Sequence, residues 1–442
     1  MAETSKGWIK AGSYSLLGYG AQLGFAFVSF LVLVRILPEY EFGVWVLYLT
    51  LTSFAEMGRL GLLQNAVVKF CVEHEEEYEQ VLSTGFWLNT LGSVALGLAL
   101  VLLSFPLSKL WSAPELTSLM WWYFPWALVN GTVRYIDFPH MVHHDFKGIF
   151  WSKLVIGLSY LGGIILCWQV LGDLPLNRLP LVQTVAALPG LLVYSIYRTD
   201  YLRWGRYSKA WASRILHFGK YVLGTNISSM LFNKMDLMMV GAFLNPAAVA
   251  LYNVATRVTN YLEVPMSGIS QVIYPKIAMA NSRGSKQEVG AMYEKSVGIN
   301  VALILPLVVI VLGLSGWIVT LIAGDAYAGA APLLNVLVLA VMIKPWGRLF
   351  GITLDAMGKP QLNFLLLALG LVLNIVLNAL FISWWGLQGA AFATLVAMIL
   401  LVVTGQILIE RILPISQGNI LRQIVRVYTR PRQLLDFNNN NG

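Results

Sequence analysis

Residues Gly12–Leu37 read GSYSLLGYGAQLGFAFVSFLVLVRIL, an unbroken run with a single charged side chain, Arg35. Wound as a helix, a run of this length is more than enough to cross a hydrocarbon core of about 30 Å. It is too long for the apolar core of a signal peptide and no small-residue cleavage site follows it, so it is expected to remain as a membrane anchor. Similar runs recur along the chain. Reading apolar blocks between polar breaks places helices near 12–37, 42–66, 83–105, 119–140, 150–172 and 179–198. A second set follows near 218–243, 249–275, 295–322, 331–356, 362–384 and 388–410.

Composition supports the same reading. Of 442 residues, 57% are hydrophobic and 12% charged, against about 25% charged in soluble domains. With a mean hydropathy of +0.68, a soluble enzyme, a disordered chain and a nucleic-acid-binding domain are excluded. The expected class is an all-α polytopic membrane protein of about twelve transmembrane helices. Cys71 and Cys167 lie in different segments without ligand spacing and are expected to be reduced and structural.

Thirty Lys and Arg stand against 22 Asp and Glu, a net charge of +8. Orientation in the membrane accounts for the excess. Alternate loops collect Lys6, Lys10, Lys69, Lys147, Lys153, Arg198, Arg203, Arg206, Lys209, Arg214 and Lys220 on one side. Lys276, Arg283, Lys286, Lys295, Lys359, Arg411, Arg422, Arg426, Arg430 and Arg432 join them, while the other side has little beyond Lys109 and Arg178. By the positive-inside rule both termini are expected in the cytoplasm. The acidic run Glu73–Glu79 falls on the same side and reads as a solvated loop, because Asp and Glu contribute little to that rule.

The stretch Thr199–His217 interleaves Arg203, Arg206 and Lys209 with Tyr201, Trp204, Tyr207 and Trp211. That mixture suits the headgroup layer, so 199–217 reads as an interfacial linker between a lobe over 1–198 and a lobe over 218–410. The basic tail, 411–442, sets Ile420, Ile424 and Val427 beside Arg422 and Arg426, then ends in a polar Asn438–Asn441 run expected to be disordered.

The two halves repeat. An offset of 207 positions, which sets Lys276 on Lys69, also pairs Gly12 with Gly219, Tyr14 with Tyr221 and Leu37 with Leu244. Thr52 with Thr259, Glu56 with Glu263, Gly61 with Gly268 and Gln64 with Gln271 continue the series. Polar identities inside apolar helices are rare enough to carry weight. Six spans separate equivalent positions, so the lobes should share one topology and be related by a pseudo-twofold along the membrane normal.

Polar residues also fall in stripes. Thr52, Glu56 and Arg59 share a face of the second helix, and Thr259, Glu263, Ser267 and Ser270 do so in the eighth. The seventh carries Asn226, Ser229, Asn233 and Asp236, the first Ser15, Gln22 and Ser29. Single Ser and Thr residues read as helix–helix contacts. Glu56, Arg59, Asp236, Arg257 and Glu263 point to a polar cavity, with mutual neutralisation of Glu56 and Arg59 at i, i+3 as the alternative.

The stretch Leu33–Gly43, LVRILPEYEFG, resembles the first loop of bacterial polysaccharide flippases of the Wzx type. So does Asp236–Arg257, DLMMVGAFLNPAAVALYNVATR, followed by Tyr274-Pro275-Lys276, with Ala250 where many relatives carry Gly. The resemblance covers essentially the whole chain and marks the wider multidrug and polysaccharide exporter superfamily. It implies a MATE-like, V-shaped transporter of two six-helix lobes whose cavity is lined by helices 1, 2, 7 and 8. It also implies a bacterial inner-membrane location and, as cargo, an undecaprenyl-pyrophosphate-linked oligosaccharide moved to the outer leaflet. Lipid II flippases usually have fourteen helices, so the count favours another branch. A multidrug antiporter shares the fold and stays open. A polysaccharide polymerase or ligase is disfavoured because every outer loop is short.

A pyrophosphate cargo calls for cations in the path, and Arg offers it a planar fork. Arg35, Arg59, Arg134, Lys234, Arg257, Lys344 and Arg348 are intramembrane cations, against Glu56, Asp137, Asp236, Glu263 and Asp355. Arg59, Lys234, Arg257, Arg35 and Lys344 are the expected substrate-binding residues. No phosphate loop for ATP occurs, so a proton or sodium gradient, or the membrane potential, is expected to drive transport. Glu263, Glu56 and Asp236 are the candidates for ion coupling, Glu263 foremost because its same-face neighbours are Thr259 and Ser267 while Glu56 has Arg59. His140, His143, His144 and Asp145 have metal-like spacing but no second arm, so neither metal nor cofactor is expected. The expected partners are the lipid-linked oligosaccharide, membrane lipids and other polysaccharide-assembly proteins, without nucleic acid.

Overall fold

A computed structural model describes residues 5–172, 174–196 and 199–429, and every regular element among them is helical. Arg198, Arg430, Arg432 and the Asn438–Asn441 run lie outside the described residues, as do the side chains of Lys6, Lys10, Tyr221, Ser267 and Gln271. The helices are α1 (Ser5–Ile36), α2 (Glu39–Glu73), α3 (Tyr78–Leu110), α4 (Glu115–Val142), α5 (Phe146–Leu171) and α6 (Leu179–Ile196). Then come α7 (Lys209–Phe243), α8 (Pro246–Leu262), α9 (Val264–Ser282), α10 (Lys286–Ala323), α11 (Ala330–Ala356), α12 (Pro360–Ile412) and α13 (Gln417–Thr429).

α12 is two helices joined at a kink. Gly386 takes φ 57° and ψ −136°, a conformation open to glycine and costly for other residues. A Cβ at Gly389 would collide with the carbonyl of Phe381, so the second glycine lets the arms close on one another. The break falls where the sequence predicts it, between 384 and 388.

The eighth span departs from expectation, for the chain over 249–275 is interrupted. The Glu263 N–H donates to the Asn260 carbonyl at 3.3 Å and its carbonyl accepts from Met266 at 3.1 Å, both one residue short of α-helical spacing. Pro265 lacks the N–H that would continue the ladder. Gly58, its mate in the repeat, leaves α2 continuous. With α8–α9 counted as one interrupted helix and α12 as two arms, twelve long passes precede the short α13.

Among the described residues seven helical stretches are long and apolar enough to cross a membrane, α12 counted once. α2, α4, α7 and the α8–α9 pair are not among them, although α2 and α7 each run 35 residues. Their polar and charged residues lower the hydropathy, so the elements with the weakest membrane signature carry most of the candidate site.

By internal packing the chain forms two compact units: Met1–Leu231 with Asn245–Ala247, and Phe232–Leu244 with Ala248–Gly442. In the first, α1 packs on α5, α5 on α6 and α6 on α4, while α2, α3 and α4 pack mutually. Val67, Leu82, Tyr135, Phe138, Trp211 and Ile215 share one core. The stretch 199–208 is tied to this unit. Gly205 N–H donates to Ser83 Oγ at 2.7 Å, Ser208 N–H to Thr84 Oγ1 at 2.9 Å, and the Tyr78 hydroxyl to the Tyr201 carbonyl at 2.9 Å.

In the second unit α9, α10 and α11 pack together, α11 lies on α12, and α13 runs along α10. Ile420 of α13 is fully buried in a core with Tyr293, Val297, Phe350 and Ile409. Buried Glu294 accepts the Ser416 N–H at 2.6 Å and Asn419 Nδ2 at 3.1–3.2 Å, satisfying donors at the α13 N-terminus. Ile424 also packs towards α10, while Leu421 and Val425 stay exposed beside Arg422 and Arg426.

Candidate functional site

In the first unit the polar face of α2 meets α3 and α4. Buried Arg59 donates through its guanidinium to the Glu56 carboxylate one turn away and to Asn89 Oδ1 of α3. Asn89 passes the chain on, its Nδ2 reaching the Gly131 carbonyl of α4 at 3.1 Å. Glu56 accepts two further donors from α4, the Tyr123 hydroxyl at 3.2 Å and Asn130 Nδ2 at 3.0 Å. Gly131 makes room for this, since a Cβ there would stand 3.3 Å from Arg59 Nη1. Low dielectric strengthens each of these bonds and makes loss of one partner expensive. Glu56 and Arg59, proposed from sequence for ion coupling and cargo, thus lie inside the unit with their charges matched. Arg35 sits exposed in the last turn of α1.

In the second unit Asp236 of α7 occupies a pocket of neutral oxygens and amides. Thr394 Oγ1 of the second α12 arm donates at 2.8 Å, Asn378 Nδ2 of the first arm at 2.9 Å, and the Tyr252 hydroxyl of α8 at 3.3 Å. The Oδ1 atoms of Asn374 and Asn378 are buried nearby without hydrogen-bond partners. A carboxylate held only by neutral donors carries a charge that a proton or a hard cation can balance. Among the described residues no group of three or more His, Cys, Asp or Glu could hold a metal ion.

Half-buried Lys234 of α7 and Arg257 of α8 lie close enough for their like charges to interact. Like charges whose fields overlap in this way favour an anion near them. Lys344 of α11 pairs with Glu263 at the α8–α9 junction through Nζ and Oε1. On its own helical face Glu263 has no cation, only Thr259 and Ser267. The structure corrects this reading by bringing Lys344 across from α11, and among the three ion-coupling candidates Asp236 is the one whose hydrogen-bond partners among the described residues are all neutral.

The histidines at the end of α4 are used in packing. His140 is fully buried against Tyr194, and His143 stacks on Tyr201 with ring centroids 4.1 Å apart. Sequence reading missed Asn89, Tyr123, Asn130, Tyr252, Asn374, Asn378 and Thr394. Asn374 and Asn378, one turn apart in an otherwise apolar helix, were the available signal.

Fold and site define a multi-pass membrane protein of the MATE-like class. A multidrug-resistance MATE family transporter in an inward-facing conformation superimposes with a TM-score of 0.69 at 15% identity, over 88% of this chain and 95% of that one. Lipid II flippase MurJ in an inward closed conformation gives 0.69 at 15% identity, over 97% and 93%. Residues 32–332 match the family model described as polysaccharide biosynthesis protein, and the chain belongs to that family. The Wzx-type resemblance is thereby borne out.

A Haloferax volcanii protein named as a probable low-salt glycan biosynthesis flippase is 25% identical over 41% of this chain and 39% of its own length. The chain spans about two-fifths of the length of this relative, of a Methanocaldococcus jannaschii membrane protein and of a second probable flippase of Haloferax volcanii, between 37% and 42%. The putative O-antigen transporter of Shigella flexneri is 21% identical over 89% of this chain and 95% of that protein. WzxC, a lipopolysaccharide biosynthesis protein of Escherichia coli, is 22% identical over 80% and 71%.

Proposed function

We propose that this protein is a flippase that moves a pyrophosphate-linked lipid oligosaccharide from the cytoplasmic to the outer leaflet of a bacterial inner membrane. The observation that carries the reading is the set of half-buried cations Lys234, Arg257 and Lys344 on helices of the second unit, in a protein of the polysaccharide biosynthesis family. Lys234, Arg257 and Lys344 of the second unit attract the pyrophosphate. Arg59 serves from within, keeping α2, α3 and α4 in register with Glu56.

Ion binding at Asp236 supplies the coupling. Its neutral partners leave the carboxylate's charge to be balanced by a proton or sodium ion, and the two arms of α12 both reach it, so occupancy bears on their angle. Both termini face the cytoplasm in this reading, from the loop distribution of Lys and Arg. It makes the protein a transporter and not an enzyme. A multidrug antiporter is the second reading, supported by the structural likeness to a MATE family transporter.

The deciding experiment is reconstitution into liposomes with a fluorescent undecaprenyl-pyrophosphate-linked sugar and, in parallel, a cationic dye. Gradient-dependent translocation of the lipid-linked sugar supports the proposal. Dye transport without sugar translocation favours the antiporter.

A further inference from the structure

We infer that Glu263 is a resident counter-ion on Lys344, occupying the place that the cargo's phosphate takes, so that cargo binding opens a clip between α11 and the α8–α9 junction. The inference rests on the flippase reading and identifies how one of its cations is held before cargo arrives.

Three observations converge. The Lys344 and Glu263 side chains are 28% and 22% exposed, unlike the sealed Arg59 at 1%. An ion pair open to hydrocarbon would be costly, so its open side looks onto water. An anion arriving through that water can reach it.

Lys344 also has capacity to spare. An ammonium carries three donors, and among the described residues Glu263 is its hydrogen-bond partner. A pyrophosphate brings more charge and more acceptor oxygens than a carboxylate, so it competes well for the ammonium.

The pair joins two helices where prolines weaken them. Glu263 sits two residues before Pro265 in the interrupted step between α8 and α9. Lys344 immediately precedes Pro345 inside α11, where the missing N–H leaves the Val341 carbonyl without its helical donor. α9 packs on α11, so this contact restrains the angle at the junction. Once phosphate takes Lys344, Glu263 is released and the junction can bend.

The test uses the full-length protein in lipid nanodiscs, with undecaprenyl pyrophosphate as probe and undecaprenol as uncharged control. Glu263→Gln should bind the pyrophosphate about three- to tenfold tighter than the wild type, since the competitor is gone. Lys344→Gln should bind more weakly, and Glu263→Gln should bring no gain in the Lys344→Gln background. The gain should shrink at high salt, a response that a purely structural role would not give. Unchanged or weaker binding by Glu263→Gln overturns the exchange. If that variant fails to fold, Glu263→Asp decides by the same sign, because it draws the carboxylate back from Lys344. A wild type that binds pyrophosphate no better than undecaprenol removes the flippase reading itself, and the inference with it.

Discussion

Asn378 Nδ2 meets Asp236 Oδ1 at 2.9 Å, joining the first arm of α12 to α7 across 142 residues of chain. Thr394 closes on the other carboxylate oxygen from the second arm. One acid therefore touches both sides of the Gly386 kink, and anything that neutralises it acts on both.

Asp236→Asn should fold, because the amide keeps the shape: its Oδ1 can still accept from Asn378 Nδ2, while its Nδ2 donates to the Thr394 or Tyr252 hydroxyl, which can turn to accept. It should lose coupling. Translocation in proteoliposomes should fall at least about tenfold, equivalent to ~1.4 kcal/mol, and should no longer respond to an imposed proton or sodium gradient. A variant that keeps its gradient response would move the coupling site elsewhere. Thr394→Val, which removes one donor, should give a smaller loss in the same assay.

The Glu56–Arg59 pair should report on stability. Removing one partner of a buried pair leaves an uncompensated charge and costs about 3–5 kcal/mol. Arg59→Gln and Glu56→Gln should each lower the unfolding temperature in detergent by several degrees, and the double variant should recover part of the loss. Single variants that melt with the wild type would place the pair in water, contrary to the burial of Arg59.

What was legible in the sequence was local. Glu56 and Arg59 lie on one helical face three residues apart, so their pairing could be weighed from spacing alone. The break near Gly386 and the twelve passes likewise follow from apolar runs and their interruptions. Lys344 is 81 residues from Glu263, and no periodicity links them. Asp236 was legible as an intramembrane acid, but its partners Tyr252, Asn378 and Thr394 come from α8 and the two arms of α12, which only packing brings together. The pause at Glu263 had its signal in Pro265. The apolar residues on either side hid it, because hydropathy does not register a lost N–H.

Lys234 and Arg257 should matter for cargo and little for folding, since both are only half-buried. Gln at either position should reduce glycan export in cells about tenfold or more with expression maintained, while Lys at Arg257 should rescue part, keeping charge but losing the fork. Complementation of a flippase-deficient strain, read as surface glycan per cell, measures this. Full export by the Lys234→Gln/Arg257→Gln protein would discard their role.

Cys71, near the end of α2 and 1% exposed, has its thiol pushed up to about 12 by burial. Alkylation requires the thiolate, so at pH 8 the folded protein should leave Cys71 unmodified by maleimide. Reactivity should appear as pH approaches 12 or on denaturation. Mass spectrometry of the native protein after brief labelling checks this, and rapid modification at pH 8 would show that the end of α2 opens.

A silent Cys71 also gives a clean background for testing orientation. The positive loops place 39, 115 and 325 outside and 209 and 283 inside, an assignment resting on Lys and Arg counts alone. Each of these positions lies at or beside a helix end, at the start of α2, α4 and α7 and in the turns flanking α10, so a cysteine there perturbs no core. With Cys167 replaced by Ala, cysteines at Glu39, Glu115 and Asp325 should react with a membrane-impermeant maleimide in intact cells. Those at Lys209 and Arg283 should react only after permeabilisation. Tyr40 hydrogen-bonds Glu115 at 2.9 Å, which puts the α1–α2 and α3–α4 turns on one side of the membrane. The labels at Glu39 and Glu115 must therefore agree with one another whichever way the protein is inserted. Disagreement between them would refute the packing of the first unit, and joint reversal of all five would invert the proposed topology while leaving that packing intact.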